Sequence, residues 1–150
     1  IKEAGAVGTL VNHSEKRLRA DEIDEIVKRA SSLGLEVVIC ANTPEVAASL
    51  SAFKPKFIAI EPPELIGTGK AVSKAKPEVI TDTIKLIRNV NPEVIVICGA
   101  GITNGNDVEA AIKLGTEGVL VASGVVKAKD QEAAVKDLAQ GLIRAYSSRK

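Results

Sequence analysis

Residues 94–122 read VIVICGAGITNGNDVEAAIKLGTEGVLVA, and this stretch decides the fold class. Residues 94–98 form an unbroken β-branched run with no alternation of polar residues, the pattern of a strand buried on both faces in a parallel sheet. Glycines end the run. A short helix is expected over 107–114, closed by Gly115, and a second apolar run follows at 118–122. Strand, helix and strand at these distances make a βα unit with a crossover of the length that parallel pairing needs.

The same unit repeats toward both ends. Further strands are expected at 7–12 (VGTLVN), 36–41 (EVVICA) and 57–60 (FIAI). Between them, Ile23, Ile26, Val27 and Ala30 recur at helical spacing within 20–33. An Ala-rich helix over 45–52 follows Pro44, a good first helical residue. Val79, Ile80, Ile84 and Ile87 stripe a helix over 77–90, again opened by a proline, and a long last helix covers 130–146. Gly34, the pair Asn91-Pro92 and Gly115 punctuate the approach to successive strands. No linker or low-complexity stretch interrupts the pattern, so one α/β domain of parallel βα repeats is expected over residues 1–150.

Composition narrows the class. The chain is 45% apolar and 26% charged, which is neither disordered nor membrane-like. Only 2% of its residues are aromatic, so Val, Ile, Leu and Ala must build the core. A formal net charge of +1 gives no electrostatic case for nucleic acid or an anionic membrane as partner. No apolar run reaches the roughly 20 residues of a membrane-spanning helix. Cys40 and Cys98 sit inside apolar strands and are expected to be buried thiols, which suits a reducing cytoplasm. The chain opens on Ile1 and contains no methionine, from which residues upstream are expected.

Small and polar residues collect where each strand ends: Asn12-His13-Ser14-Glu15, Ala41-Asn42-Thr43, Glu61-Pro62-Pro63, Gly99-Ala100-Gly101 and Ala122-Ser123-Gly124. Ligands of parallel α/β folds bind at that end of the strands, so a small-molecule site is expected there. His13 is the lone histidine. Glu61 places an ionisable carboxylate at the mouth of an apolar strand, where it is a general base, or else caps the next helix or pairs with a lysine. Pro62-Pro63 stiffens the chain just after it, while Gly67-Thr68-Gly69 can absorb large rotations. A rigid hinge followed by a glycine hinge fits a moving lid, and amides near Gly67 could meet a phosphate. Gly99-Ala100-Gly101 fails as a dinucleotide fingerprint, because the next glycine, Gly105, comes one position late.

Together these segments resemble triosephosphate isomerase. Asn12-His13-Ser14-Glu15 after one strand, and Glu61-Pro62-Pro63-Glu64-Leu65-Ile66-Gly67-Thr68-Gly69 after the strand two units later, match the family's two most specific motifs in order and separation. The Pro-Pro-Glu-Leu variant, Cys98-Gly99-Ala100-Gly101-Ile102 and Ala122-Ser123-Gly124 resemble the shorter archaeal branch. The resemblance implies the C-terminal five βα units, strands four to eight, of a TIM (β/α)8 barrel. It implies interconversion of dihydroxyacetone phosphate and glyceraldehyde 3-phosphate, a step of glycolysis and gluconeogenesis, with no metal and no cofactor. Glu61 would move the proton between substrate carbons, His13 would polarise the carbonyl, and residues 62–72 would close over the substrate. Ile66, Gly67, Gly101, Ala122 and Ser123 would supply the substrate-binding backbone. At the last two positions the commoner family sequence is a glycine pair. Family members of this branch imply a homo-oligomer, a tetramer when intact, in the cytoplasm.

The departure is at the start. The family's first three βα units, with their lysine and asparagine after the first strand, have no counterpart here. Lys70, Lys74 and Lys76 lie in or beyond the lid and are poor substitutes. The isolated chain is therefore expected to be inactive, with both outer strands as unpaired edges. Two other readings stand beside an isomerase portion: a non-catalytic phosphate-binding half-barrel, and a different sugar-phosphate barrel enzyme. The Glu-Pro-Pro lid argues against the last.

Overall fold

Five strands pair in parallel and in chain order, β1-β2-β3-β4-β5, each joined to the next through helix. A computed structural model describes residues 1–148; the last two residues of the domain expected over 1–150 lie outside the described residues. The elements run β1 (Gly8–Val11), α1 (Ala20–Ser32), β2 (Glu36–Ala41), α2 (Pro44–Ser51) and β3 (Phe57–Ile60). After a 3-10 turn at Pro63–Leu65 come α3 (Val72–Ala75), α4 (Pro77–Val90), β4 (Ile95–Cys98) and α5 (Gly105–Lys113). The chain ends with β5 (Gly118–Val119), α6 (Ser123–Val126) and α7 (Gln131–Ser147).

Period-two alternation divides each strand between two faces. Val11, Val37, Ile39, Ala41, Ile58 and Val96 pack outward against Ile23 and Val27 of α1, Leu50 of α2 and Ile87 of α4. Ile60 and Cys98 continue that layer against Ile80, Val108 and Ile112. Fully buried Ile and Val side chains of this kind contribute about 1.5–3 kcal/mol each, which lets a core almost without aromatics hold together. The opposite face carries Leu10, Val38, Cys40, Ala59 and Ile97. The sheet does not close on itself, and Leu10 on the first strand remains 47% exposed.

Most elements stand where the sequence puts them; the last strand, the lid and the start of α5 do not. The last strand is a two-residue ladder and not the run expected over 118–122. Leu120 still donates to the Cys98 carbonyl, but the chain then leaves the sheet to enter α6. The lid is partly helical, with its 3-10 turn near the start and α3 at its end. Helix α5 starts at Gly105, two residues early, because Asn104 caps it by accepting from the amides of Asn106 and Asp107 at 3.0 and 3.1 Å.

Candidate active site

Glu61 is placed by sheet geometry. It follows β3 directly, and its amide donates to the Ala41 carbonyl at 2.8 Å. Strand parity puts its side chain on the same face as Ala59, above the inner surface of the sheet. Cys40 pairs with Ala59 in register, and Cys98 pairs with Ile60, so Gly99 comes level with Glu61 on the next strand. A Cβ on residue 99 would overlap Glu61 Oε1: the carboxylate occupies the space that a side chain there would need. Glu61 is 5% exposed, and its Oε2 finds no donor among the described residues. A buried carboxylate oxygen without a partner costs free energy until something supplies a proton or hydrogen bond. Burial pushes the Cys40 thiol far up, and the charge and hydrogen bonding of Glu61 push it further. Cys98 is pushed up to about 12, chiefly by burial and secondly by Glu61, with partial relief from Thr116. Both cysteines are free, buried thiols, as expected.

His13 is held by the loop after β1. Asn12 adopts a left-handed backbone (φ 61°), which asparagine tolerates better than most residues. Its side-chain amide donates to the Cys40 carbonyl at 2.9 Å, and its Oδ1 accepts from the Leu18 amide at 2.9 Å. Arg17 Nη1 donates to the Asn12 carbonyl at 2.6 Å. These bonds tie the start and end of the loop to the tip of β2, so the intervening imidazole has a fixed origin. The His13 Nδ1 lies 3.5 Å from both the amide and the carboxylate of Glu15. The carboxylate is 89% exposed, so the backbone amide is the fixed partner. This contact uses Nδ1 as an acceptor and leaves Nε2 facing the sheet. That Nε2 points at Glu61 Oε2 from 3.7 Å, beyond a hydrogen bond.

One cavity of about 290 Å³ gathers the rest. Its walls include His13, Glu61, Ile66, Gly67, Gly101, Ala122 and Ser123, so all the site residues expected from the sequence meet in one place. Leu10, Leu120 and Val121 make its apolar side. The lid is buried at both ends, at Glu61-Pro62 and at Ala71–Ser73, and exposed from Gly67 to Lys70. Gly67 and Gly69 take positive φ of 73° and 72°, and a Cβ on either would meet nothing, so their glycine is needed for conformation and not for space. Among the described residues lining the cavity there is no lysine or arginine. No group of side chains suited to a metal ion occurs among the described residues, and no helix there is long and apolar enough to cross a membrane.

A family profile described as Triosephosphate isomerase matches residues 1–140. The chain belongs to the triosephosphate isomerase family. Triosephosphate isomerase of Methanobacterium bryantii is 57% identical over 123 residues, covering 82% of this chain and 54% of the relative. Triosephosphate isomerase of Saccharolobus solfataricus is 54% identical over 148 residues, covering 99% of this chain and 65% of the relative. The chain thus spans about half to two thirds of the length of these relatives. Solved structures share the fold at low identity. One is 3-hexulose-6-phosphate synthase (TM-score 0.70, 19% identical, 94% of this chain and 64% of the other). Another is thiamine phosphate pyrophosphorylase from Pyrococcus furiosus (TM-score 0.69, 16%, 94% and 61%). The five parallel βα units are a partial TIM barrel.

Against the triosephosphate isomerase motifs, sequence reading missed the supports of the two charged groups. Arg17 pins the histidine loop, and Gly99 makes room for the glutamate. Gly99 was legible in principle, since a glycine level with a strand-end carboxylate on the neighbouring strand invites a steric reading. Arg17 carries no such signal. Two of the three lysines near the lid are committed elsewhere: Lys74 to Asp107 at 2.7 Å, and Lys76 to Glu64 across the lid's base.

Proposed function

We propose that the chain carries the general base and the electrophile of a triosephosphate isomerase. Glu61 transfers the proton between C1 and C2 of the triose phosphate, and His13 Nε2–H polarises the carbonyl and donates to the enediolate oxygen. One observation carries this reading: Glu61 Oε2 and His13 Nε2 face each other at 3.7 Å across the cavity that Ile66, Gly67, Gly101, Ala122 and Ser123 also line. A carboxylate oxygen without a donor is free to take a carbon-bound proton. An imidazole N–H aimed beside it can stabilise the charge that develops on the neighbouring oxygen. Backbone amides near Gly67, Gly101 and Ser123 are assigned to the substrate phosphate, and residues 62–72 to the lid that excludes water. No metal or organic cofactor enters the reaction.

The lack of a lysine or arginine among the described residues lining the cavity favours a second reading for the chain by itself, that of an inactive half-barrel which keeps an anion site. The family's lysine is assigned to the part of the relatives outside the match, and the ammonium would complete the site from there. The reading implies a homo-oligomeric enzyme of the cytoplasm once the barrel is whole.

The test joins this chain to the portion of the Methanobacterium bryantii relative that lies outside the match and measures isomerisation of dihydroxyacetone phosphate. Glu61→Gln should lower turnover by at least the ~10²–10⁴-fold typical of a lost general base, with little change in KM. His13→Gln should slow turnover while inorganic phosphate binds almost as before. A Glu61→Gln protein that keeps more than about a tenth of the parent rate would remove Glu61 from the role of base.

A further inference from the structure

The exposed tip of the lid stands on a buried foot. Ala71, Val72 and Ser73 are 4%, 0% and 5% exposed. The foot is tied at successive residues to the loop between β4 and α5 and to the first turn of α5. The Lys70 carbonyl sits where a Cβ on Gly101 would be. The Val72 amide donates to the Ala100 carbonyl at 3.1 Å. Ser73 Oγ donates to the Asp107 carbonyl at 3.0 Å, and Lys74 Nζ meets Asp107 Oδ1 at 2.7 Å.

Asp107 is 3% exposed and divides its carboxylate between two partners. Oδ1 holds Lys74, while Oδ2 accepts from both the amide and the hydroxyl of Thr103 at 3.0 Å. Capping of α5 does not need this carboxylate. Asn104 takes the amides of residues 106 and 107, and Asp137 takes that of Gly105 at 2.7 Å. Burial opposes the charge on Asp107, but Lys74 and Thr103 outweigh it and hold the carboxyl below the usual aspartate range. The loop it grips is under backbone strain. Ala100 takes a left-handed φ of 70°, uncommon for a residue with a Cβ, and Gly101 follows at 74°. A strained loop persists where its surroundings over-determine it, and here the lid foot is part of those surroundings.

We propose that Asp107 is a positioning residue that couples the lid to the anion-binding loop. With one oxygen on Lys74 and the other on Thr103, it makes residues 70–74 and 99–104 one unit, so that the lid tip and the Gly101 backbone reach the substrate phosphate together. The identity of the ligand rests on the isomerase reading; the coupling is a property of the fold and stands or falls separately.

Hydrogen–deuterium exchange and inorganic phosphate titration on the chain test this, comparing the parent with Asp107→Asn, Lys74→Met and Lys74→Arg. Lys74 is half exposed, so Lys74→Met should fold even if Asp107→Asn does not. In both uncoupled variants, exchange of the Val72 amide and of the amides at 101–103 should rise together, about tenfold, while β3 amides keep the parent rate. Lys74→Arg should restore the parent pattern. Phosphate affinity should fall in the two uncoupled variants and recover in Lys74→Arg. Faster exchange at Val72 without a change at 101–103 would overturn the coupling, as would unchanged phosphate affinity in both uncoupled variants. If the parent chain takes up no phosphate, the anion site of the isomerase reading fails for this chain, and exchange alone decides the coupling.

Discussion

Gly99 shows what a residue can contribute by having no side chain. Glu61 Oε1 lies in the volume that a Cβ there would fill, so Gly99→Ala must either turn the carboxylate or push apart two paired strands. In a completed barrel we expect turnover to fall by about 10²-fold, the scale of a roughly 1 Å misplacement of a catalytic group. The fall should appear in kcat more than in KM, which steady-state kinetics would separate. An unchanged kcat would mean that the carboxylate reaches its working position by leaving Gly99 anyway. Asp107 makes a second prediction at this scale. Its folded pKa is lowered by Lys74 and Thr103 against the opposing effect of burial. Its stabilising contribution is therefore complete above the unfolded pKa of about 3.9, and it is lost as pH falls through the lower folded value. Urea unfolding of the parent and Asp107→Asn should show a stability gap at neutral pH that narrows as pH falls below the unfolded pKa of about 3.9. A gap that stays constant with pH would assign Asp107's effect to packing instead of charge.

The elements that were legible in the sequence are those whose cause is local or repeated. Runs such as Val37–Ala41 and Phe57–Ile60 had to be parallel strands, because residues this apolar on both faces need cover on both faces. The helix Pro77–Val90 announced itself by its opening proline and its stripe of Ile80, Ile84 and Ile87. The 3-10 turn at Pro63–Leu65, α3 and α6 were not legible. Each is one turn long, and α3 is held by contacts with distant residues, such as Val72 to Ala100 and Ser73 to Asp107. The site was legible as motifs, whereas its supports at Arg17 and Gly99 follow from which strand lies beside which. The packing of α7 on α5 is a tertiary fact of the same sort. A Cβ on Gly141 would strike the Gly105 carbonyl, at the first turn of the helix that carries Asp107. Gly141→Val should destabilise the fold by about 1–3 kcal/mol through overpacking. At roughly 2–4 °C per kcal/mol for a domain of this size, circular dichroism on heating would read the change as a lower Tm. No shift would show that α7 moves freely aside and does not fix the position of α5.

At the scale of the whole molecule, two flanks carry exposed apolar residues. On the β1 side are Val7 (78% exposed) and Leu10; on the other are Val126 (70%), Val135 (51%) and Ile143 (58%) on α6 and α7. In α7, Val135 and Ile143 are two turns apart on one face, the spacing of a helix stripe that packs against a neighbour. Both outer strands also keep one row of backbone groups unpaired, without the proline or inward lysine that blunts an edge. These flanks sit where further βα units would close the sheet, and the relatives are long enough to supply them. We expect the isolated chain to self-associate through its edges and to show no isomerase activity above background. On the proposed reading, Glu61 and His13 alone would not hold the substrate in a reactive pose, since no lysine or arginine among the described residues lines the cavity. Mixing the chain with a separately made piece carrying the family's first three βα units should yield a soluble 1:1 complex with measurable turnover. Light scattering and activity would be measured on the chain, the piece and the mixture, each beside a Glu61→Gln control. Turnover confined to the mixture and abolished by Glu61→Gln would place the base on this chain and the missing charge on the other. Robust Glu61-dependent turnover from the chain by itself would show that a cavity without a cation suffices, and the division of labour between the two halves would have to be abandoned.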